Sequence, residues 1–300
     1  MVSPHETQPL PPLPFEEWKD TKETLHRYCQ IVGKVRMALS PYRNHWWHVT
    51  LYVTTRGLTT GSIPYGPTTF DVSLDLISNR LIVTTSEDEA FSFAMDDLPV
   101  AEFYRKLFEG LGSLGIEISI NPKPFDLDDG NTLDTNTYHH ACDRRHVRRF
   151  HRALVRVDQT FKDFAGRFNG KTSPVQLFWH SFDLAVTRFS DRRVSLPEET
   201  DPVTREAYSH EVISFGFWPG DQNVREPAFY SYTAPEPKDL TGQPLRPPSA
   251  AWQEGGTALL TYEEVRNAVS PKETLLEFLQ SAYEAGAKTA GWDMEKFRAG

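Results

Sequence analysis

Apolar residues recur at steps of three, four and seven from Phe15 onward. Trp18, Leu25, Tyr28, Val32, Val35 and Leu39 fall on one stripe, which predicts an amphipathic helix ended by Ser40-Pro41. The period then changes to two. Val49, Leu51 and Val53 alternate with Thr50, Tyr52 and Thr54, a turn-rich stretch runs from Gly57 to Pro67, and Phe70, Val72 and Leu74 begin a hairpin whose partner is Leu81 to Thr85. Phe91 and Phe93 suggest one more short strand. Pro99 opens a second helix with Phe103, Leu107, Leu111 and Leu114, and Gly115 stands where a helix stop belongs.

The order then repeats. Phe150, Leu154, Val157, Phe161, Phe164 and Phe168 step by four and three, and Gly170 and Ser173-Pro174 follow. Strands are expected around Phe182 to Val186, Val212 to Trp218, Ala228 to Thr233 and Thr257 to Thr261, before a closing helix from Pro271 with Leu275, Leu276, Leu279, Ala282 and Tyr283. A shift of 133 positions superposes Ser40-Pro41 on Ser173-Pro174, Trp46 on Trp179, Leu51 on Leu184 and Val53-Thr54 on Val186-Thr187 without a gap. A shift of 132 sets the apolar face of one strand against the polar face of the other, because a one-residue slip inverts every side chain. The alternative to duplication is that two segments share only a helix, proline, strand order. The pattern predicts an α+β fold of two fused pseudo-repeats, each a helix plus an antiparallel sheet, at about residues 15–121 and 140–297. The sheets are expected to curl around a central pocket with the helices outside. Residues 1–14 read as a proline-rich extended lead-in to a single globular body over 15–300.

A chain of 300 residues can bury a sizeable core as one domain or two. Its net charge of −9 argues against a nucleic-acid partner, which calls for a basic surface. Cys29 and Cys142, the only cysteines, both fall in helical sequence, so no disulfide framework is implied and a reducing compartment fits. The N-terminus has no basic region followed by an apolar run, and no window of about twenty apolar residues occurs, so the expectation is a cytoplasmic protein without a membrane partner. Nothing in the pattern sets the oligomeric state.

Several segments carry a resemblance. Asn44-His45-Trp46-Trp47, Leu51-Tyr52-Val53-Thr54 with Arg56-Gly57-Leu58-Thr59, and Ile63-Pro64-Tyr65-Gly66 come first. The run Ser181 to Ser190, Tyr208 to Ser214, and Gly216-Phe217-Trp218-Pro219-Gly220 are more specific. Together they resemble an uncharacterised domain-of-unknown-function family (family 5996) of bacteria and fungi, over nearly the whole chain after the lead-in. The resemblance implies no reaction and no cofactor. It also implies glycine near His180 and near Asp191 and a residue other than histidine at His48, so it lends no support to a mechanism resting on His48 or His180.

Continuous strands would put Trp46, His48, Thr50, Tyr52, Thr54 and Arg56 on the face away from the helices, with Trp179, Ser181, Asp183, Ala185 and Thr187 from the second unit. Two tryptophans and a tyrosine among polar side chains suit a pocket wall better than open surface. In Ser209 to Trp218, alternation points Glu211, Ile213, Phe215 and Phe217 one way and His210, Val212, Ser214, Gly216 and Trp218 the other. His210 beside small Ser214 and Gly216 therefore leaves room for a ligand, while Glu211 faces the packed layer and a cation there. The expected chemistry is general acid-base catalysis by His210 with Asp183 as partner carboxylate. Substrate binding is expected from Trp46, Tyr52, Arg56, Tyr65, Trp179, Arg188, Ser214 and Trp218, with either arginine on an anionic group. Against this stands a structural histidine and an Asp183–Arg188 pair. His45, His48, His139, His140, His180, His210 and Glu211 lack metal-ligand spacing, and glycine-rich phosphate loops and Gly-x-Ser-x-Gly are missing, so no cofactor is predicted and metal is disfavoured. Arg144, Arg148, Arg152 and Arg156 form a helical stripe that the acidic run Asp126, Asp128, Asp129 and Asp134 could cover. The reading is a small-molecule enzyme without a nucleotide cofactor; the alternatives are a non-catalytic small-molecule binding or sensing protein and a protein-interaction module.

Overall fold

A computed structural model of the protein describes residues 10–127, 130–222 and 224–299. The lead-in up to Pro9 lies outside the described residues. Its remainder is tied down: Leu10 and Leu13 are buried, and the Tyr262 hydroxyl donates to the Pro11 carbonyl at 2.8 Å.

The chain mixes helices with two antiparallel sheets, an α+β architecture. It opens with α1 (Phe15–Leu39), followed by β1 (Tyr52–Val53), β2 (Gly57–Thr59), β3 (Ile63–Tyr65), β4 (Thr68–Asp75), β5 (Arg80–Thr85), β6 (Ala90–Ala94) and α2 (Val100–Ser113). Next come α3 (Arg144–Ala165), β7 (Gln176–Phe178), β8 (Asp183–Arg193), α4 (Pro202–Ala207), β9 (His210–Trp218) and β10 (Ala228–Ala234). The chain closes with β11 (Ala251–Trp252), β12 (Ala258–Thr261), α5 (Tyr262–Asn267) and α6 (Pro271–Thr289). Among the described residues no helix is long and apolar enough to cross a membrane.

Two compact units divide the chain, the boundary falling inside α3 after His151. One comprises Glu16–His151 and Gln176–Asp183. Its sheet runs β1-β2-β4-β5-β6, with β3 on β4. Phe70, Val72 and Leu74 are buried on the inner face of β4, and α2 covers β6, with Phe93 and Phe103 edge to face at 5.4 Å. The other unit comprises Met1–Phe15, Arg152–Val175 and Leu184–Gly300, and its sheet runs β11-β12-β10-β9-β8. As alternation predicts, Phe215 packs on Phe164 of α3, Ile213 lies against Gly286 of α6, and Phe217 meets Phe229 and Tyr262. Glu211, on the same side, accepts from Arg192 at 2.9 Å and from the Trp292 indole at 2.9 Å.

Residues 46–56 depart from the strand that their alternation suggests. Asn44–Trp46 form a 3-10 turn in which His45 and Trp46 take φ of 56° and 61°. Only Tyr52–Val53 joins the sheet, at Thr59 and Leu58. The cause is Arg36, whose guanidinium takes the carbonyls of His48 (3.0 Å) and Thr50, acceptors that a neighbouring strand would otherwise use. Phe182 is also left-handed, at φ 61°, so Trp179 and Ser181 sit in a turn ahead of β8. The continuous polar face expected from Trp46 to Arg56 and from Trp179 to Thr187 is not formed, and among the described residues neither sheet closes into a barrel.

Arg188 is a packing residue rather than a surface anion binder. It is 2% exposed, with its guanidinium 3.6, 4.4 and 4.9 Å from the ring centroids of Phe164, Tyr283 and Phe168. Its Nη2 donates at 2.6 Å to the Phe164 carbonyl, in the last turn of α3, where a cation meets the negative end of the helix. Burial lowers its pKa to about 9. Arg188→Lys keeps the charge but cannot stack flat among three rings. It is expected to lower the unfolding free energy by about 1–3 kcal/mol in urea titration, with unchanged m; wild-type stability would show that the cage contributes nothing.

Candidate functional site

On α1, a second stripe accompanies the apolar one. Lys22, His26, Gln30 and Lys34 recur at steps of four, which on a surface helix would be the solvated face. Here they are 4%, 3%, 0% and 5% exposed. Three of them bond groups of the protein itself.

Lys22 pairs with Glu23 at 2.9 Å, and Arg27 reaches the same carboxylate at 2.9 Å. Burial alone would raise the Glu23 pKa, but the two cations outweigh it and hold it at about 2. Gln30 clamps the backbone of Phe125, accepting from its N–H at 2.8 Å and donating to its carbonyl at 2.9 Å. His26 Nε2 lies 2.9 Å from the Trp179 carbonyl and 3.1 Å from that of His180, so this nitrogen carries the hydrogen. Burial, reinforced by Lys22, lowers the His26 pKa to about 3. The ring is therefore neutral, stacked on Phe182 at 4.9 Å, with a bare lone pair on Nδ1 that is buried and unpartnered.

The turn that His26 holds carries Trp179 and His180. The Trp179 indole donates to the Val49 carbonyl at 2.7 Å and lies against Gly33 of α1, where a Cβ would stand 2.1 Å from its Cδ1. Lys34 Nζ is 5.8 Å from the indole centroid. Burial lowers the Lys34 pKa. His180 meets Phe125, Phe178 and Trp179 edge to face at 5.5, 5.6 and 6.1 Å. Burial lowers its pKa too, while Asp183 and Asp126 act in the opposite sense. Asp183 accepts a short hydrogen bond from Ser181 Oγ. The flank thus assembles a neutral imidazole near two carboxylates, a lysine amine and an indole wall. Among the described residues no group of three or more His, Cys, Asp or Glu could hold a metal ion.

Of the residues expected from sequence, this site brings together Trp179 and Asp183. His210 is elsewhere. It pairs with Arg193 at the far end of β8 from Asp183, roughly 30 Å along the strand at about 3.3 Å per residue. The room expected beside it is filled: the Tyr230 ring occupies the space at Gly216, and Ser214 bonds Thr187 at 2.9 Å. Trp46 stacks on His48 at 5.4 Å, and Tyr52 lies under the Arg36 guanidinium at 4.8 Å. Arg56 pairs with Asp75 at 2.6 Å, the Tyr65 hydroxyl accepts from the Glu117 N–H at 3.0 Å, and Trp218 ends β9 opposite Ala228. Of the arginine stripe, Arg144 pairs with Asp96 and Arg148 with the Ile77 carbonyl rather than with the acidic run, of which Asp128 and Asp129 lie outside the described residues; Glu17 is met by Arg149, beside the stripe. Two open clefts, of about 690 Å³ beside Tyr104 and Phe108 and about 430 Å³ beside Asp71 and Thr84, contain none of the expected site residues.

Comparison with known proteins adds the family. The model of DUF5996, a family of unknown function, matches residues 10–299. The chain belongs to this family. No curated protein and no solved structure matches it. For this DUF5996 chain the α1 flank therefore stands on its own geometry. Lys34, His26 and Gln30 escaped the sequence reading because steps of four on a helix with an apolar stripe signal solvent exposure; the one available signal was that the stripe is cationic and uncompensated.

Two measurements test the arrangement. Gly33→Ala places a methyl inside the Trp179 ring, and is expected to cost about 1–3 kcal/mol in urea unfolding and to shift indole fluorescence; a silent substitution would mean that Trp179 does not rest there. His26 binds fewer protons folded than unfolded between pH 6.5 and about 3, so stability falls as pH drops through that window. The slope is at most about 1.4 kcal/mol per pH unit. Glu23 adds a loss of the same sign only below its unfolded value of 4.5. His26→Gln is expected to flatten the decline above that value, and an unchanged slope would show that His26 is already protonated when folded.

Proposed function

We propose that the protein is a small-molecule enzyme without a nucleotide cofactor, in which His180 and Asp183 move protons on a ligand held against Trp179. The observation that carries this reading is the His180 imidazole. Burial keeps it a free base at neutral pH, and the carboxylates of Asp183 and Asp126 stabilise the imidazolium once it takes a proton. Ser181 holds one Asp183 oxygen, which limits how that carboxylate can turn. Trp179 offers an apolar wall whose position is set by Val49 and Gly33. His210 is replaced in the acid-base role because its strand position separates it from Asp183. The reading rests on the geometry around His180 and draws nothing from the family.

We also infer an internal duplication. Its support is the gap-free match of Ser40-Pro41 to Ser173-Pro174 and of Val53-Thr54 to Val186-Thr187. A long helix ahead of an antiparallel sheet in each half of the chain points the same way.

The enzyme reading is tested by following a pool of small aldehydes, ketones and carboxylic acids by NMR in the presence of the purified protein. Consumption of one component is expected, with His180→Gln and Asp183→Asn each slowing it by at least about 100-fold. Full rates in both variants would sink the acid-base assignment, and a component that binds but is recovered unchanged would make the protein a binder instead.

A further inference from the structure

The cleft of about 690 Å³ beside Tyr104 and Phe108 shares no lining residue with the His180 flank, and its volume is that of a small-molecule site. Both of its walls are fixed. One is α2, where Tyr104 and Phe108 stand one turn apart, half-buried and stacked at 4.4 Å between ring centroids. The other is the segment that carries Asp134 and Thr137. Asn136 of that segment is fully buried; its carbonyl accepts from the Ala101 N–H at 2.9 Å, and the His139 carbonyl accepts from the Val100 N–H at 3.0 Å. These are the first N–H groups of α2, which no helical carbonyl can take, so the segment is pinned to the helix that it faces.

The rim is acidic, and its one lining cation is already paired. Arg105 lies between two carboxylates, with Nε 2.9 Å from Glu102 and Nη1 2.6 Å from Glu109. Lys106 adds a contact to Glu102 at 3.7 Å. The third lining carboxylate, Asp134, pairs with no lysine or arginine among the described residues. It acts on the aromatic wall: burial raises the Tyr104 pKa, and Asp134 raises it further.

We propose that this cleft binds a small organic cation whose charge sits on an aromatic body, an aralkylammonium. The Tyr104 and Phe108 rings take the body, and Asp134 together with the ring faces takes the charge. Other classes meet an obstacle. An anion would have to draw Arg105 away from two carboxylates and would still face Asp134. A neutral apolar compound would cover the aromatic wall and leave the Asp134 charge unmatched beside it. A metal ion has no set of ligands, because among the described residues no three His, Cys, Asp or Glu converge to hold one. A polyamine matches the rim but gains nothing from the rings with its hydrated stem. The site is separate from the His180 flank, and neither reading depends on the other.

The test is an NMR titration of the full chain at neutral pH and low salt with benzyltrimethylammonium, benzyl alcohol and phenylacetate in turn, which share a ring and differ in charge. The cation is expected to bind at least about fivefold more tightly than the alcohol, with phenylacetate weakest, and added salt is expected to narrow the gap. Asp134→Asn, an exposed change of nearly equal shape, is expected to remove most of the preference for the cation while leaving the alcohol as it was. Phe108→Ala is expected to weaken both. Equal binding of the three probes, tighter binding of phenylacetate, or no binding of the cation by the wild-type chain overturns the proposal. So does an Asp134→Asn variant that keeps the full preference, which would place the cation elsewhere on this acidic protein. The wild-type titrations and Asp134→Asn decide the matter whether or not Phe108→Ala folds.

Discussion

The structure depends on the burial of a helix that is polar along one side. From Thr21 to Arg36, α1 is enclosed except at Glu23, although the stretch contains two lysines, two arginines, a histidine and a glutamine. Its ladder satisfies its own backbone, so the cost of enclosure falls on these side chains. An unmade hydrogen bond there costs about 1–3 kcal/mol each. What meets that cost is irregular backbone: Arg36 binds the carbonyls of His48 and Thr50, His26 those of Trp179 and His180, and Gln30 both polar groups of Phe125. The dependence is mutual. Those carbonyls belong to segments that do not complete a sheet ladder, and without α1 they would be the orphans.

This exchange sets the site. Because His26 holds the Trp179 and His180 carbonyls, the two side chains project from a turn rather than a strand, and Phe182 takes a left-handed φ before β8 begins. Because residue 33 has no Cβ, the indole can lie directly on the helix. Thr50 Oγ1 donates to Gln176 at 2.8 Å, and Leu51 and Leu177 exchange both backbone bonds, at 2.9 and 2.7 Å, which fixes the strand leading into the turn. A site assembled on such constraints is held by groups that do no chemistry themselves.

The sequence made the class of structure legible, and the apolar faces of its regular elements with it. The steps of Phe150 to Phe168, the hairpin from Phe70 to Thr85 and the alternation through Ile213, Phe215 and Phe217 all appear where period and turn residues place them. Legibility failed where a side chain substitutes for a strand. Val49 to Val53 alternates like β-structure, but a long-range guanidinium takes its acceptors, and nothing local announces that. It failed again at Gly216, whose lack of a side chain read as space for a ligand and is in fact space for Tyr230. Both errors come from tertiary partners, which alternation within one segment cannot report.

Arg36 and Lys34, two residues apart on one helix, show how an identical charge can be held in two different ways. Arg36 presents a rigid planar fork, and fixed carbonyls spaced along residues 48–50 fill it; the match immobilises both sides and leaves the guanidinium nothing further to do. Lys34 presents a single nitrogen on a flexible stem, against a ring that offers no lone pair and no formal charge. Placing the guanidinium at 34 would demand acceptors that Trp179 does not supply, and placing the amine at 36 would leave carbonyls of the 48–50 segment bare. The assignment of the two residue types is thus not interchangeable.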